Sequence, residues 1–221
     1  MKNTIQNIAT YAVCTGARGL FLILFLGLAG CAGTSLQPVR PVVFDLGPGP
    51  LAAPAPAPVV KRTALVLGEV EAPVALESTA VQYRLAYLDA LQLKPYSKAR
   101  WSMAPAQLLR QRLREHLSME RALLNPGEGG LSGAEAPHTL RVDLEEFSQL
   151  FEAPDKSVGL LRLRVTLVMA DPSGGKKVAQ RSMVVQRPAP TADAAGGVRA
   201  LTAAVDAAVQ EIGQWVRDLA P

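Results

Sequence analysis

Seven prolines fall between Ala32 and Arg62, at positions 38, 41, 48, 50, 54, 56 and 58, and the stretch from Ala53 to Pro58 alternates alanine with proline. Each proline fixes φ and removes a backbone donor, so this segment predicts an extended, polyproline-like tether with no core of its own. Whatever folds must begin near Thr63. At about 3.1 Å per residue, some 30 residues of tether reach roughly 90 Å at full extension. One exception is open: Val42-Val43-Phe44 is strand-like, and the segment from Val42 to Leu46 is a candidate extra strand of the domain.

Upstream, Lys2 and Arg18 give a positive leader and Leu20 to Leu28 a run of about nine almost wholly apolar residues. The small residues Ala29 and Gly30 then precede Cys31. The run is less than half of the roughly 20 residues that span a bilayer, which argues against a transmembrane anchor. The order Leu28-Ala29-Gly30-Cys31 resembles the lipobox of a bacterial lipoprotein signal peptide. That resemblance implies cleavage before Cys31, a lipid on the Cys31 thiol and acylation of the new amino terminus, with palmitate the expected acyl chain. Ala32 stands where an aspartate would retain such a protein in the inner membrane, which implies the outer membrane and its periplasmic face. The expected division is a signal peptide over 1–30, the lipidated cysteine and tether over 31–62, and one domain over 63–221. About 190 mature residues suffice for one core and not for two. Cys14 leaves with the leader and Cys31 is consumed by lipid, so no disulfide is expected.

Within the domain, Thr63 to Val70 is apolar on both faces, as a covered strand would be. From Ala80 to Leu88, Val81, Tyr83, Leu85 and Tyr87 alternate with polar or small residues, and Leu91 to Tyr96 follows after a gap suited to a tight hairpin. Pro95 places the end of that strand at an edge. Ser102 is positioned to cap a helix from Pro105 to Leu124, with Leu109, Leu113 and Leu117 inward and Arg110, Arg112, Arg114 and Arg121 on a solvated face, the alternative for that basic face being a docking site for an acidic partner or for lipid headgroups. Residues 125–136, with four glycines and a proline, are a loop. His138 to Leu144 alternates until Phe147 breaks the period, which predicts a bulge near Glu146. Leu161, Leu163, Val165, Leu167 and Met169 share one face of the next strand, and the turn Asp171 to Gly175 leads into a third strand over Lys177 to Gln186.

The last element is a helix with a 3.6-residue stripe of Val198, Leu201, Val205, Ala208, Val209, Ile212, Trp215, Val216 and Leu219. Thr191 or Asp193 caps it, Gly196-Gly197 weakens its first turn, and Trp215 is its expected anchor on the sheet. The order βββ-α-βββ-α predicts an α+β fold, an antiparallel sheet with two helices packed on one face.

Chemistry is sparse. No nucleophile elbow, phosphate loop, dinucleotide fingerprint or zinc-protease motif is present. His116 and His138 are the only histidines, so neither a metal nor another cofactor is expected. Asp143, Glu145 and Glu146 are close in sequence, but strand alternation turns Glu146 away from the other two, so their expected role is structural. Losing Lys2 and Arg18 with the leader lowers the net charge of +4 to about +2, too little for a nucleic-acid footprint. These observations predict a protein that is not an enzyme. Tyrosine, tryptophan and arginine are enriched at binding hot spots, so Tyr96, Arg100 and Trp101 are the candidate partner-binding residues; the alternative for Trp101 is a plug between sheet and helix.

Gln82-Tyr-Arg-Leu-Ala-Tyr87, then Leu91-Gln-Leu-Lys-Pro-Tyr96, then Arg100-Trp101 and a helix opening Pro105-x-x-Leu-Leu resemble the ABC-type transport auxiliary lipoprotein family. That family includes the outer-membrane lipoproteins of paraquat-inducible and other MCE-type lipid transport systems. The resemblance implies a non-catalytic accessory of an ABC transporter that contacts the periplasmic MCE-type substrate-binding protein. A homo-oligomer is compatible with it. The alternative function is an envelope lipoprotein that binds a cell-wall synthase or assists envelope assembly.

Overall fold

The structure is a computed structural model that describes residues 40–49, 62–128, 136–170 and 175–220. The signal peptide, Cys31, the lipobox and most of the proline-rich segment lie outside the described residues. The described chain forms β1 (Val42–Phe44), β2 (Leu65–Glu71), β3 (Ala80–Leu85), α1 (Ala86–Asp89), β4 (Ala90–Trp101), α2 (Pro105–Leu117), β5 (Leu123–Leu124), β6 (His138–Ala153), β7 (Lys156–Ala170), β8 (Lys176–Pro188) and α3 (Ala194–Leu219).

All eight strands join one sheet. The meander β6-β7-β8 is antiparallel, as the alternation predicts, and its first pair slips register between Leu144 and Glu146, the expected bulge. The other edge of β6 is shared: β2 runs parallel to its first half and β3 parallel to its second. β4 pairs antiparallel with β3, while β1 and β5 run parallel to β4 and β2. Four of the seven pairings are therefore parallel, and the expected antiparallel sheet is corrected to a mixed one. The reason lies between β2 and β3, where Pro73 is extended and a 3-10 turn at Val74–Leu76 follows, so the chain makes no tight hairpin there. The two strands become successive neighbours of β6 instead of partners of each other.

Three further boundaries differ from the sequence reading. The strand expected over Ala80 to Leu88 ends at Leu85, and residues 86–89 turn as α1. α2 stops at Leu117 and not at Leu124, because Leu123 and Leu124 pair with Leu65 and Val66. Its N-cap is Ala104 without a side-chain hydrogen bond; Ser102 donates its backbone N–H to the Phe44 carbonyl instead. The candidate strand at 42–46 does form, over Val42–Phe44, paired with Ala99, Arg100 and Trp101.

The core lies between the sheet and the two long helices. Leu140, Val142 and Leu144 on β6 and Leu161, Leu163, Val165 and Leu167 on β7 are buried beneath them. The opposite face presents Arg141, Arg162, Arg164, Gln180 and Ser182. α3 buries Val198, Leu201, Ala204, Val205, Ala208, Val209, Ile212 and Val216. Trp215, the expected anchor, is only partly buried at the margin, and Leu219 is exposed. Small residues set this interface: a Cβ on Gly159 would stand 2.6 Å from the α3 backbone at Ala200 and Leu201, so helix and strand touch main chain to main chain. Gly196 and Gly197, which weaken the first turn by propensity, are needed there because the Thr191 main chain and the buried Gln149 side chain leave no room for a Cβ. A Cβ on Gly196 would lie 2.0 Å from the Thr191 carbonyl, and one on Gly197 would lie 2.1 Å from Gln149. Asp193 caps the helix by accepting from the Gly196 N–H at 2.7 Å.

Candidate interaction surfaces

The three candidate partner-binding residues all sit on β4, but alternation divides them. Trp101 is 2% exposed and packs on Phe147, ring centroids 5.4 Å apart. It plugs the junction of sheet and helices and is not open to a partner. Arg100 is half-buried and its guanidinium donates to the carbonyls of Tyr96 and Ala99, closing a local loop on its own strand. Tyr96 is half-buried; its ring lies 4.5 Å from that of Tyr83, and its hydroxyl donates to Gln149 Oε1 at 2.8 Å.

Gln149 is the centre of a polar node that sequence reasoning missed. Fully buried on β6, it accepts from Tyr96, donates to Ser157 Oγ at 2.8 Å and touches the first turn of α3 at Gly197. A buried amide is stable only when its groups are paired, and both are paired here. Burial, then the neighbouring Tyr83 and Asp193, push the Tyr96 phenol well above its ordinary range, so it stays a neutral donor. Hydrogen bonds from Gly196 and Thr191 hold the Asp193 carboxyl below its ordinary range, so the cap stays ionised. The node joins β4, β6, β7 and α3 at one end of the sheet.

A second polar fastening holds β1. Arg112, expected on a solvated face, is 4% exposed. Its guanidinium donates to the Leu46 carbonyl and, at 3.1 Å, to the Gly47 carbonyl, while Asp206 of α3 lies 3.5 Å from its Nε. Leu46 is itself in the core. The segment that follows β1 is thus clamped between α2 and α3, and a groove of about 490 Å³ runs beside it, lined by Phe44, Leu46, Val198, Thr202 and Asp206 among others. The signal was present: residue 112 is four after Leu108 and three after Leu109, on the inward stripe. Arg121, also placed on the solvated face, is buried and donates to the Ala220 carbonyl at 2.9 Å.

Between the helices, Glu120 receives Arg62 at 2.6 Å and Arg217 at 2.5 Å. Burial opposes its ionisation, but the two arginines outweigh that and hold its carboxyl below the usual range. His116, one turn away, is held below its ordinary value, chiefly by burial, with Arg217 adding to the effect and Glu120 opposing it.

Glu145 meets Arg164 at 2.7 Å and Glu146 meets Arg84 at 3.0 Å while accepting from Ser148, so these carboxylates are structural partners of arginines. Among the described residues, no group of three or more His, Cys, Asp or Glu is placed to hold a metal, and no helix is long and apolar enough to cross a membrane. A mixed sheet under two long helices, with Arg112, Gln149 and Glu120 fastening its elements together, defines a class: a small α+β domain.

The family is equally definite. Residues 44–213 match the model of the ABC-type transport auxiliary lipoprotein component, and the chain belongs to that family. The family is described as an auxiliary part of a transporter. Among solved structures the chain is similar to a Xanthomonas campestris protein of the DUF330 family, with a TM-score of 0.60 and 18% identity over 80% of this chain and 93% of that one. It is also similar to an uncharacterized protein, with a TM-score of 0.57 and 15% identity over 80% of this chain and 99% of the other. At these identities the likeness concerns the fold. No curated protein sequence matches the chain.

Proposed function

We propose that this chain is an outer-membrane lipoprotein facing the periplasm, tied to the membrane by lipid on Cys31. It serves as a non-catalytic accessory of an ABC transport system of the MCE type, moves lipid only through that system, and contacts its periplasmic substrate-binding protein. The observation that carries this reading is the family match, which begins at the end of β1 and ends within α3 and so covers nearly the whole domain. The lipobox pattern supports the anchor, and Ala32 after the cysteine supports the outer membrane. Tyr96 and Arg100 are the proposed partner contacts on β4, with Trp101 holding their strand from beneath.

The test is membrane fractionation together with co-purification. Wild-type chain should sediment with outer membrane and carry along the MCE-type component of its own genome. Cys31→Ala should abolish membrane attachment, and Arg100→Ala should weaken co-purification while the domain still unfolds cooperatively, with a stability loss of no more than about 1.5–3 kcal/mol from its bonds to the Tyr96 and Ala99 carbonyls. Capture of a cell-wall synthase in place of the MCE-type component would favour the envelope-assembly reading and overturn this one.

A further inference from the structure

The turn between β3 and β4 carries large apolar side chains that nothing in the fold covers. Tyr87 is 41% exposed, Leu88 70% and Leu91 91%. Single exposed apolar residues are ordinary, but three within five residues at a projecting turn form a patch. This turn is also braced. Leu85 bridges to Asp89, the Asp89 carboxylate accepts from the Leu91 N–H at 2.9 Å, and Arg84 donates to the carbonyls of Ala90 and Leu91 while its other edge pairs with Glu146. The side chains are therefore held outward by hydrogen bonds at their base and do not fold back on the core.

What faces them follows from where the chain enters the fold. β1 is parallel to β4, with Val42 opposite Ala99. Going backward from Val42 thus leads in the same direction as going backward from Ala99, which is toward Leu91. Val42 is eleven positions after Cys31, a span of at most about 36 Å at 3.3 Å per step; Ala99 is eight positions after Leu91, a span of at most about 26 Å. A tether of that length is long enough for the surface that holds Cys31 to reach the tip, and too short to keep that surface more than a few tens of ångströms from Val42. Lys98 and Arg40, exposed cations, lie between the entry point and the tip, where they face anionic headgroups. The exposed Glu152 near the same end is neutralised by Lys156 at 2.7 Å.

We propose that Tyr87, Leu88 and Leu91 form a second membrane contact, inserting into the same lipid surface that holds the acylated Cys31. The tyrosine suits the headgroup level and the leucines the acyl boundary. Two attachment points fix the orientation of the sheet, which one lipid on a free chain does not. The inference rests on the lipidation of Cys31 proposed above.

The lipidated full-length protein is reconstituted in phosphatidylethanolamine–phosphatidylglycerol vesicles with a nitroxide on Leu88→Cys, on Leu91→Cys or on Val178→Cys. Val178 is a fitting control, because it is 65% exposed and lies at the opposite end of the sheet, on the β8 residue that faces Val168. On vesicle addition, collisions with oxygen should rise and collisions with an aqueous nickel chelate should fall at 88 and 91, with no change at 178. Floating protein whose labels at 88 and 91 stay open to the chelate overturns the proposal. So do labels that become shielded from both reagents, which would mean a protein covers the tip, whether a second copy or a transport partner. Failure of the underlying anchor reads differently: the protein does not float, and its mass shows no acyl group on Cys31.

Discussion

Leu163 on β7 and Leu91 on β4 are leucines in strands of one sheet, yet one is 1% exposed and the other 91%. The difference separates two regions. The meander β6-β7-β8 is dry on the face it turns to α3: apolar side chains alternate inward, alanines and glycines let helix and strand touch, and polar groups such as Gln149 are fully paired. The margin of β1, β4, α1 and the start of α2 is held by charged groups on backbone carbonyls, Arg112 on residues 46 and 47 and Arg84 on residues 90 and 91. The first region is a scaffold. The second is where the fold meets the chain that leads to Cys31, and its fastenings can be undone without unfolding the rest.

The largest effect should come from the scaffold. Phe147→Ala removes a fully buried ring packed at a tilt against Trp101 and should cost about 3–5 kcal/mol by chemical denaturation. Gly159→Val should cost about 1–3 kcal/mol or more, because its Cβ meets the α3 backbone and no flexible side chain can yield. A Gly159→Val protein as stable as wild type would show that sheet and helix are not in main-chain contact. At the margin the expected result is of a different kind. Arg112→Met should lower global stability by no more than about 1.5–3 kcal/mol, the range for hydrogen bonds to a charged group. Amide exchange should accelerate at 42–47 alone, and acceleration spread evenly over β6 and β7 would mean that the margin is not separable.

These contrasts also explain what the sequence could tell. Strict alternation on β6 and β7 and the 3.6 stripe of α3 reported one buried face each, so those elements, the bulge at Glu146 and the Asp193 cap were legible. Parallel pairing was not, because it depends on how the 72–79 segment redirects the chain, a long-range matter that local pattern does not encode. Trp215 misled by size alone; the α3 interface is so close that alanine fits it and tryptophan is left at the rim. Arg112 misled by charge, since its two carbonyl acceptors come from residues 46 and 47 in what reads as a tether. Gln149 offered no signal, because a lone glutamine in a strand looks the same paired or solvated.

The smallest effects lie in the seam between α2 and α3. His116 has a lowered folded pKa, so the unfolded chain takes up a proton first; stability is intact above about pH 6.5 and declines below it. Glu120 also has a lowered folded pKa, so its contribution is present above about pH 4.3 and is lost as pH falls through the lower folded value. Thermal unfolding against pH should show both losses on acidification. Glu120→Gln should flatten the more acidic one and, because the Glu120 charge opposes the lowering at His116, enlarge the other.

Because β1 belongs to the sheet, residues 50–61 run between two points of one fold, Gly49 and Arg62, and on this account they add nothing to the distance from the membrane. Only the eight residues between Cys31 and Arg40 do so, about 30 Å over nine fully extended steps, in place of the roughly 90 Å that the whole proline-rich segment would provide. Neutron reflectometry of the lipidated protein on a supported bilayer measures that distance. The predicted result is protein density against the headgroups, unchanged when residues 51–59 are deleted. A water-filled gap of tens of ångströms that narrows on the deletion would contradict it.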